Sequence, residues 1–144
     1  MAILAMFQLG TGVASASTSA VVTEKTNPTL GTILANNSGL TLYTLTNNGA
    51  PVACTGTCAV YWPPLTVPAG TAVSGPTGLG GIGAANDANG DAVTYQGDPL
   101  YTFIQDHSAS DATGQGLQSF GGTWKVVQVT ASAPTTTAPA PTTT

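Results

Sequence analysis

Ionisable side chains are what this chain has least of. It carries two Lys or Arg and six Asp or Glu in 144 residues, where an average globular protein is about a quarter charged. Lys25 and Lys125 are the only permanent side-chain cations. Neutralising phosphates takes a basic footprint, so nucleic acid is excluded as a partner. Attraction of a polybasic segment to anionic lipid fails for the same reason. No apolar run approaches the roughly 18 residues of a membrane-spanning helix, so no transmembrane span is expected. Histidine occurs once, at His107. It lies between Asp106 and Ser108, and neighbours in sequence rarely present converging side chains. The nucleophile-elbow pattern G-x-S-x-G is missing as well. The reading is therefore of a non-enzymatic protein without a cofactor.

Aromatic residues make up only 6% of the chain, yet they fall in a pattern. Leu42-Tyr43-Thr44-Leu45 leads on to Trp62, and Leu100-Tyr101-Thr102-Phe103 leads on to Trp124. Repetition in matching order points to a duplicated structural unit rather than a single active centre. Tyr101-x-Phe103-x-x-Asp106 resembles the Y-x-[FWY]-x-x-D signature of the bacterial secreted repeat of unknown function, or predicted-lipoprotein repeat. The first copy keeps Tyr43, with Leu45 at the aromatic position and Asn48 in place of the acid. Cys54-Thr-Gly-Thr-Cys58-Ala-Val-Tyr-Trp62-Pro63-Pro64 is similar to that family's C-x-G-x-C-A-x-x-W-P-P segment. Gly114-Gln115-Gly116 followed by Trp124-Lys125-Val126-Val127 is similar to the end of its second repeat. The resemblance spans roughly residues 30 to 129 and implies a secreted, non-cytosolic module of unassigned activity. No cysteine lies near the amino terminus, so the lipid attachment common in the family is not expected.

The expected fold is mainly β: one small domain of two diverged β repeats, with a short helical turn and a cysteine-stapled loop. Alternation over Ile33 to Leu45 fits a strand with two differently packed faces. Asn47-Asn48-Gly49 supplies turn chemistry. Cys58 to Trp62 has room for one helical turn before Pro63 and Pro64 stop it. Short β-prone runs at Asp91–Tyr95 and Leu100–Gln105 flank Gln96-Gly97 as hairpin strands, and Trp124 to Thr130 forms a last strand. The expected organisation is a signal-like segment at 1–20, an extension at 21–29, repeat 1 at 30–67, a Gly/Pro-rich connection at 68–90 and repeat 2 at 91–130. A Thr/Pro/Ala-rich stalk follows at 131–144. The apolar start and the small-x-small triplet Ala14-Ser15-Ala16 follow signal-peptide grammar. Repeat 2 is longer between its Tyr and Trp, and its extra residues belong in the Asp106–Gly122 loop, because a strand would lose register. The expected core residues are Tyr43, Trp62, Tyr101, Phe103, Asp106 and Trp124.

Cys54 and Cys58 are an even pair in a chain read as exported, which favours a disulfide. The alternative is a Cu(I) site formed by Cys54, Cys58 and His107, since thiolates suit that soft ion. Zinc would be left one ligand short. Gly78-Leu79-Gly80-Gly81-Ile82-Gly83 spells a phosphate-binding fingerprint without the strand and helix it requires. Asp87-Ala88-Asn89-Gly90-Asp91 starts like a calcium loop but has Ala92 where glycine is needed and Asp98 where a bidentate Glu is needed. Asn36-Asn37-Ser38 is the one glycosylation-type sequon. The leading expectation is a secreted or cell-surface module, structural or adhesive, with a cell-envelope or extracellular protein or glycan as partner, or self-assembly. An extracellular copper-binding redox accessory is the alternative.

Overall fold

The computed structural model describes residues 18–129. The stretch 1–17, most of the signal-like segment, and the stalk at 131–144 lie outside the described residues. The described part is strand-rich with one five-residue helix, as the sequence patterns predict. In chain order the elements are β1 (Thr18–Ala20), β2 (Val22–Asn27), β3 (Gly31–Asn36), β4 (Tyr43–Asn47), β5 (Ala50–Pro51) and α1 (Thr57–Tyr61). There follow β6 (Thr66–Val67), β7 (Ala72–Ser74), β8 (Ile82–Asp87), β9 (Gly90–Tyr95), β10 (Asp98–Pro99), β11 (Gln118–Ser119) and β12 (Gly122–Val126).

Two hairpins, β2–β3 and β8–β9, open the two halves of the fold. Residues 21–29 therefore carry a strand, and the connection at 68–90 carries two. Periodicity missed β8 because Gly83, Ala84 and Ala85 are too small to write an alternating apolar pattern. β1 runs parallel to β7, with Thr18 opposite Ala72. It falls two residues beyond the small-residue triplet Ala14–Ala16.

Ile33 to Leu45 is not one strand. It is β3 and β4 folded around a turn at Asn37–Gly39, where the Asn36 side-chain oxygen accepts from the Ser38 and Leu40 amides. Three hairpins close through a non-glycine and glycine pair that both have positive φ: Asn48-Gly49, Gln96-Gly97 and Phe120-Gly121. That geometry matches the right-handed twist of the flanking strands.

The halves are joined by exchanged backbone hydrogen bonds. Leu42 N–H donates to the Leu34 carbonyl, Leu34 N–H to Val127, and Val127 N–H back to Leu42, at 3.0, 3.0 and 3.3 Å. A second closed ring links Leu100 to Val93, Val93 to Leu65, and Leu65 to Leu100, at 2.9, 2.8 and 2.9 Å. Each ring takes its third member from beyond the tryptophan of the opposite half: Val127 follows Trp124, and Leu65 follows Trp62. Tyr43 and Tyr101 then pair directly, each amide donating to the other's carbonyl at 2.8 and 2.9 Å.

Alternation along these segments separates two cores. Ile33, Tyr43, Leu45, Tyr101, Trp124 and Val126 pack with Trp62 and both cysteines on one side. Leu34, Leu42, Val93, Leu100 and Val127 form an aliphatic cluster on the other. Residues adjacent in sequence thus enter different cores, which is why Ile33-Leu34-Ala35 and Leu42-Tyr43 are all fully buried.

Trp124 is fully buried, and its ring is shared between the halves. Trp124→Ala is expected to cost about 3–5 kcal/mol, measured by urea unfolding. Because Trp62 and Trp124 stack on each other, a double-mutant cycle is expected to show coupling of about 0.5–1.5 kcal/mol.

Candidate functional site

The tyrosine and tryptophan positions read from the sequence come together in the first core. Trp62 and Trp124 lie face to face, ring centroids 3.7 Å apart and planes 3° from parallel. Tyr43 meets Trp62 edge-on at 5.3 Å and 82°, and Tyr101 meets Trp124 at 5.3 Å and 88°. Phe103 covers the other face of Trp62 at 4.0 Å, while Leu45 is the strand partner of Trp124. The edge-to-face contacts satisfy the aromatic quadrupoles, whereas the nearly face-to-face tryptophan pair gains chiefly from the apolar area it buries. Gly114 closes the layer, since a Cβ there would come within 2.5 Å of the Trp62 ring.

The two phenols differ in their partners. Tyr43 Oη donates to Asp106 Oδ2 at 2.6 Å and accepts from the Gly114 amide at 3.1 Å. Asp106 Oδ1 accepts from both the amide and the hydroxyl of Thr113. The buried acid therefore folds the Asp106–Gly122 loop back onto the aromatic layer. Gln115 helps by accepting from the Val126 amide at 2.7 Å. Burial, reinforced by the Asp106 hydrogen bond, pushes the Tyr43 phenol well above its ordinary pKa, with the Gly114 amide opposing. Tyr101 is raised by burial and by the Asp87 charge. Its hydroxyl is the one buried side-chain polar atom among the described residues without a hydrogen-bond partner. The Cys54 amide lies near enough to oppose the rise electrostatically but does not meet hydrogen-bond geometry.

Other ionisable groups serve local structure. Asp111 accepts from the His107 and Ser108 amides, and the first of these chiefly holds its carboxyl below the usual range. Asp87 accepts from Asn89 N–H, and Asp91 from the Gly70 amide and Asn86. Lys25 donates to the Gly39 and Ala109 carbonyls, and burial pushes its ammonium down while Asp106 and Asp111 pull it back.

Cys54 and Cys58 are joined in a disulfide, with Cα atoms 5.2 Å apart. Their sulfurs are spent on each other, so the copper site expected as the alternative loses its two thiolates. His107 sits in the Asp106–Asp111 turn, and the described residues hold no His/Cys/Asp/Glu group arranged for a metal. Asp87, Asn89 and Asp91 belong to the β8–β9 hairpin, as the turn reading of that segment predicts.

Composition alone did not reveal an exposed apolar face. Tyr61 on α1 and Phe120 in the β11–β12 turn are 46% and 40% exposed, and their rings stack at 6.3 Å. Leu117 is exposed beside them, and Ile104 donates its amide to the Tyr61 carbonyl. A shallow pocket of about 280 Å³ lies among Tyr61, Trp62, Phe103, Gln105, Leu117 and Phe120. Phe120 holds φ at 55°, a conformation that bulky residues rarely adopt. The Phe120-Gly121-Gly122 triplet was the available sequence signal, since glycines after a β-prone run mark a tight turn.

The arrangement defines a small β module built around an aromatic layer and one disulfide. Residues 83–128, from β8 through the strand that bears Trp124, match the family described as a secreted repeat of unknown function. This part of the chain is similar to that family, whose description as secreted suggests an extracellular location. No curated protein and no solved structure is detectably similar to it. Among the described residues no helix is long and apolar enough to cross a membrane.

Two outcomes follow from this geometry. The folded state retains the Tyr43 proton after an unfolded tyrosine would ionise, so its contribution is complete below about pH 10 and fades as pH rises beyond it. Thermal midpoints are expected to fall above that pH, and less steeply in Tyr43→Phe, which also loses about 1–3 kcal/mol at neutral pH by stranding Asp106. Reduction of Cys54–Cys58 is expected to cost about 1–3 kcal/mol. Intact protein should accept no alkylating label before reductant and two labels after it.

Proposed function

We propose that this chain is a non-enzymatic adhesive module, acting outside the cytosol or on the cell surface. Its contact face is the one formed by Tyr61, Leu117 and Phe120, and its partner is an uncharged extracellular glycan. The observation that carries the reading is the display of Phe120 in a left-handed turn, its ring stacked on exposed Tyr61. Backbone strain of this kind persists where the surroundings impose it and is concentrated at functional positions. The lining of the pocket holds no Asp, Glu, Lys or Arg, and Gln105 and Ser119 supply neutral polar groups. Uncharged rings beside neutral hydrogen-bonding groups suit pyranose faces, whose C–H surface packs on aromatics while hydroxyls reach polar atoms. The reading as a non-enzyme rests on the ionisable residues: Asp87, Asp91, Asp106 and Asp111 are each bound to backbone or side-chain donors near them in the fold.

Sedimentation with insoluble cellulose and chitin tests the proposal. Intact protein is expected to co-sediment with at least one of them. The Tyr61→Ala, Phe120→Gly double variant is expected to lose about tenfold or more in affinity, since each aromatic contact contributes on the order of 1 kcal/mol. Equal retention of the folded double variant, or failure of the intact protein to bind either polymer, defeats it.

A further inference from the structure

A second pocket, of about 290 Å³, opens between the stapled loop and the β8–β9 turn. Pro51, Cys54, Thr55, Asp87, Asn89 and Tyr101 are among its walls. The Asn89 side chain spans it at one end, donating to the Cys54 carbonyl at 2.9 Å. Tyr101, 1% exposed, is part of this wall, and its hydroxyl is the one buried side-chain polar atom among the described residues without a partner.

Comparison of the two tyrosines gives that hydroxyl its meaning. Tyr43 and Tyr101 are mutually paired strand residues that meet their tryptophans in the same geometry. Tyr43 has an amide to accept from and the Asp106 carboxylate to donate to. Tyr101 has the Cys54 amide nearby and no acceptor. Asn48, which occupies the acid's place in the first copy of the sequence motif, lies instead in the β4–β5 turn with φ at 54°. A buried donor left unpaired costs about 1–3 kcal/mol, and a ligand that supplies the acceptor recovers it.

The surroundings select the ligand's chemistry. An anion would be placed beside Asp87 in a protein of net charge -4. A cation has no lone pair for the phenol proton. An alcohol hydroxyl both accepts a hydrogen bond and donates one, so it suits the phenol and the carboxylate together. The remaining walls, Pro51, Val52, Ala53, Ala88 and Pro99, are apolar, as in pockets that bury the C–H surface of a small ligand. We infer that the pocket between the Cys54–Cys58 loop and the β8–β9 turn is a binding site for a neutral polyhydroxylated small molecule of monosaccharide size, with Tyr101 donating to one of its hydroxyls and Asp87 accepting from it. This site shares no lining residue with the Tyr61–Phe120 face and does not rest on the adhesive reading.

The test is titration of the intact, oxidised protein with glucose and with gluconate, an anion of similar size, followed by amide NMR shifts of Thr55 and Asn89. Saturable shifts are expected with glucose and none with gluconate. Tyr101→Phe, which keeps the ring on Trp124, is expected to weaken glucose binding about tenfold while leaving the thermal midpoint unchanged or higher. Phe120→Gly is expected to leave the glucose-induced shifts of Thr55 and Asn89 intact, whatever it does at the contact face, so failure of the contact-face proposal is read separately. Three results would each overturn the inference: no saturable shift with glucose, equal binding by folded Tyr101→Phe, or equal binding of gluconate. A crystal grown in glucose that shows only an ordered water on the Tyr101 hydroxyl would overturn it too.

Discussion

Everything in this fold depends on the contact between Trp62 and Trp124. Each ring comes from a different half of the chain and buries its face on the other. The pairing fixes where β12 and the Pro63-Pro64 segment run, and so which carbonyls meet Leu34 and Val93. The reciprocal Tyr43–Tyr101 hydrogen bonds lie beside it, with both phenol rings set edge-on to the stack. Large aromatic area concentrates burial in few residues, which suits a chain with so few charged side chains to draw on.

Around that common centre the halves anchor their loops by different chemistry. The first ties Trp62 in place through a disulfide, because Cys58 lies in α1 and its carbonyl accepts from the amide of Trp62, the residue that caps that helix. The second uses a buried carboxylate that binds Tyr43 and Thr113 together. A covalent tie works at any pH but fails under reduction, whereas a carboxylate and phenol pair is indifferent to redox state and sensitive to pH. Asymmetry of the anchors is also what leaves the Tyr43 phenol satisfied and the Tyr101 phenol without a partner.

Much of the core could be read from the sequence, because Tyr43, Trp62, Tyr101 and Trp124 are large, scarce and repeated in order. Asn48-Gly49 and Gln96-Gly97 announced their hairpins through the positive φ that such turns need. β8 was hidden by its small residues, and the break between β3 and β4 was hidden by an alternating pattern that continues across the turn. The site was less legible. That Asp106 reaches Tyr43 as well as the Thr113 amide depends on pairing across the whole chain, and so does the lack of an equivalent partner for Tyr101. Exposure of Tyr61 and Phe120 is likewise a tertiary outcome, since nothing local separates them from the buried aromatics.

The crossed hydrogen-bond rings also set the order in which the molecule comes into being. Leu34 and Leu42 emerge early in synthesis, but their ring is closed by Val127, almost the last described residue. Long-range closure of this kind carries its loop entropy before any contact repays it, which slows folding. An amino-terminal portion, however long, lacks the strand that completes its own core until β12 has appeared. A growing chain therefore keeps its first core open, with Leu34 and Leu42 unsealed, until β12 and Val127 have been made.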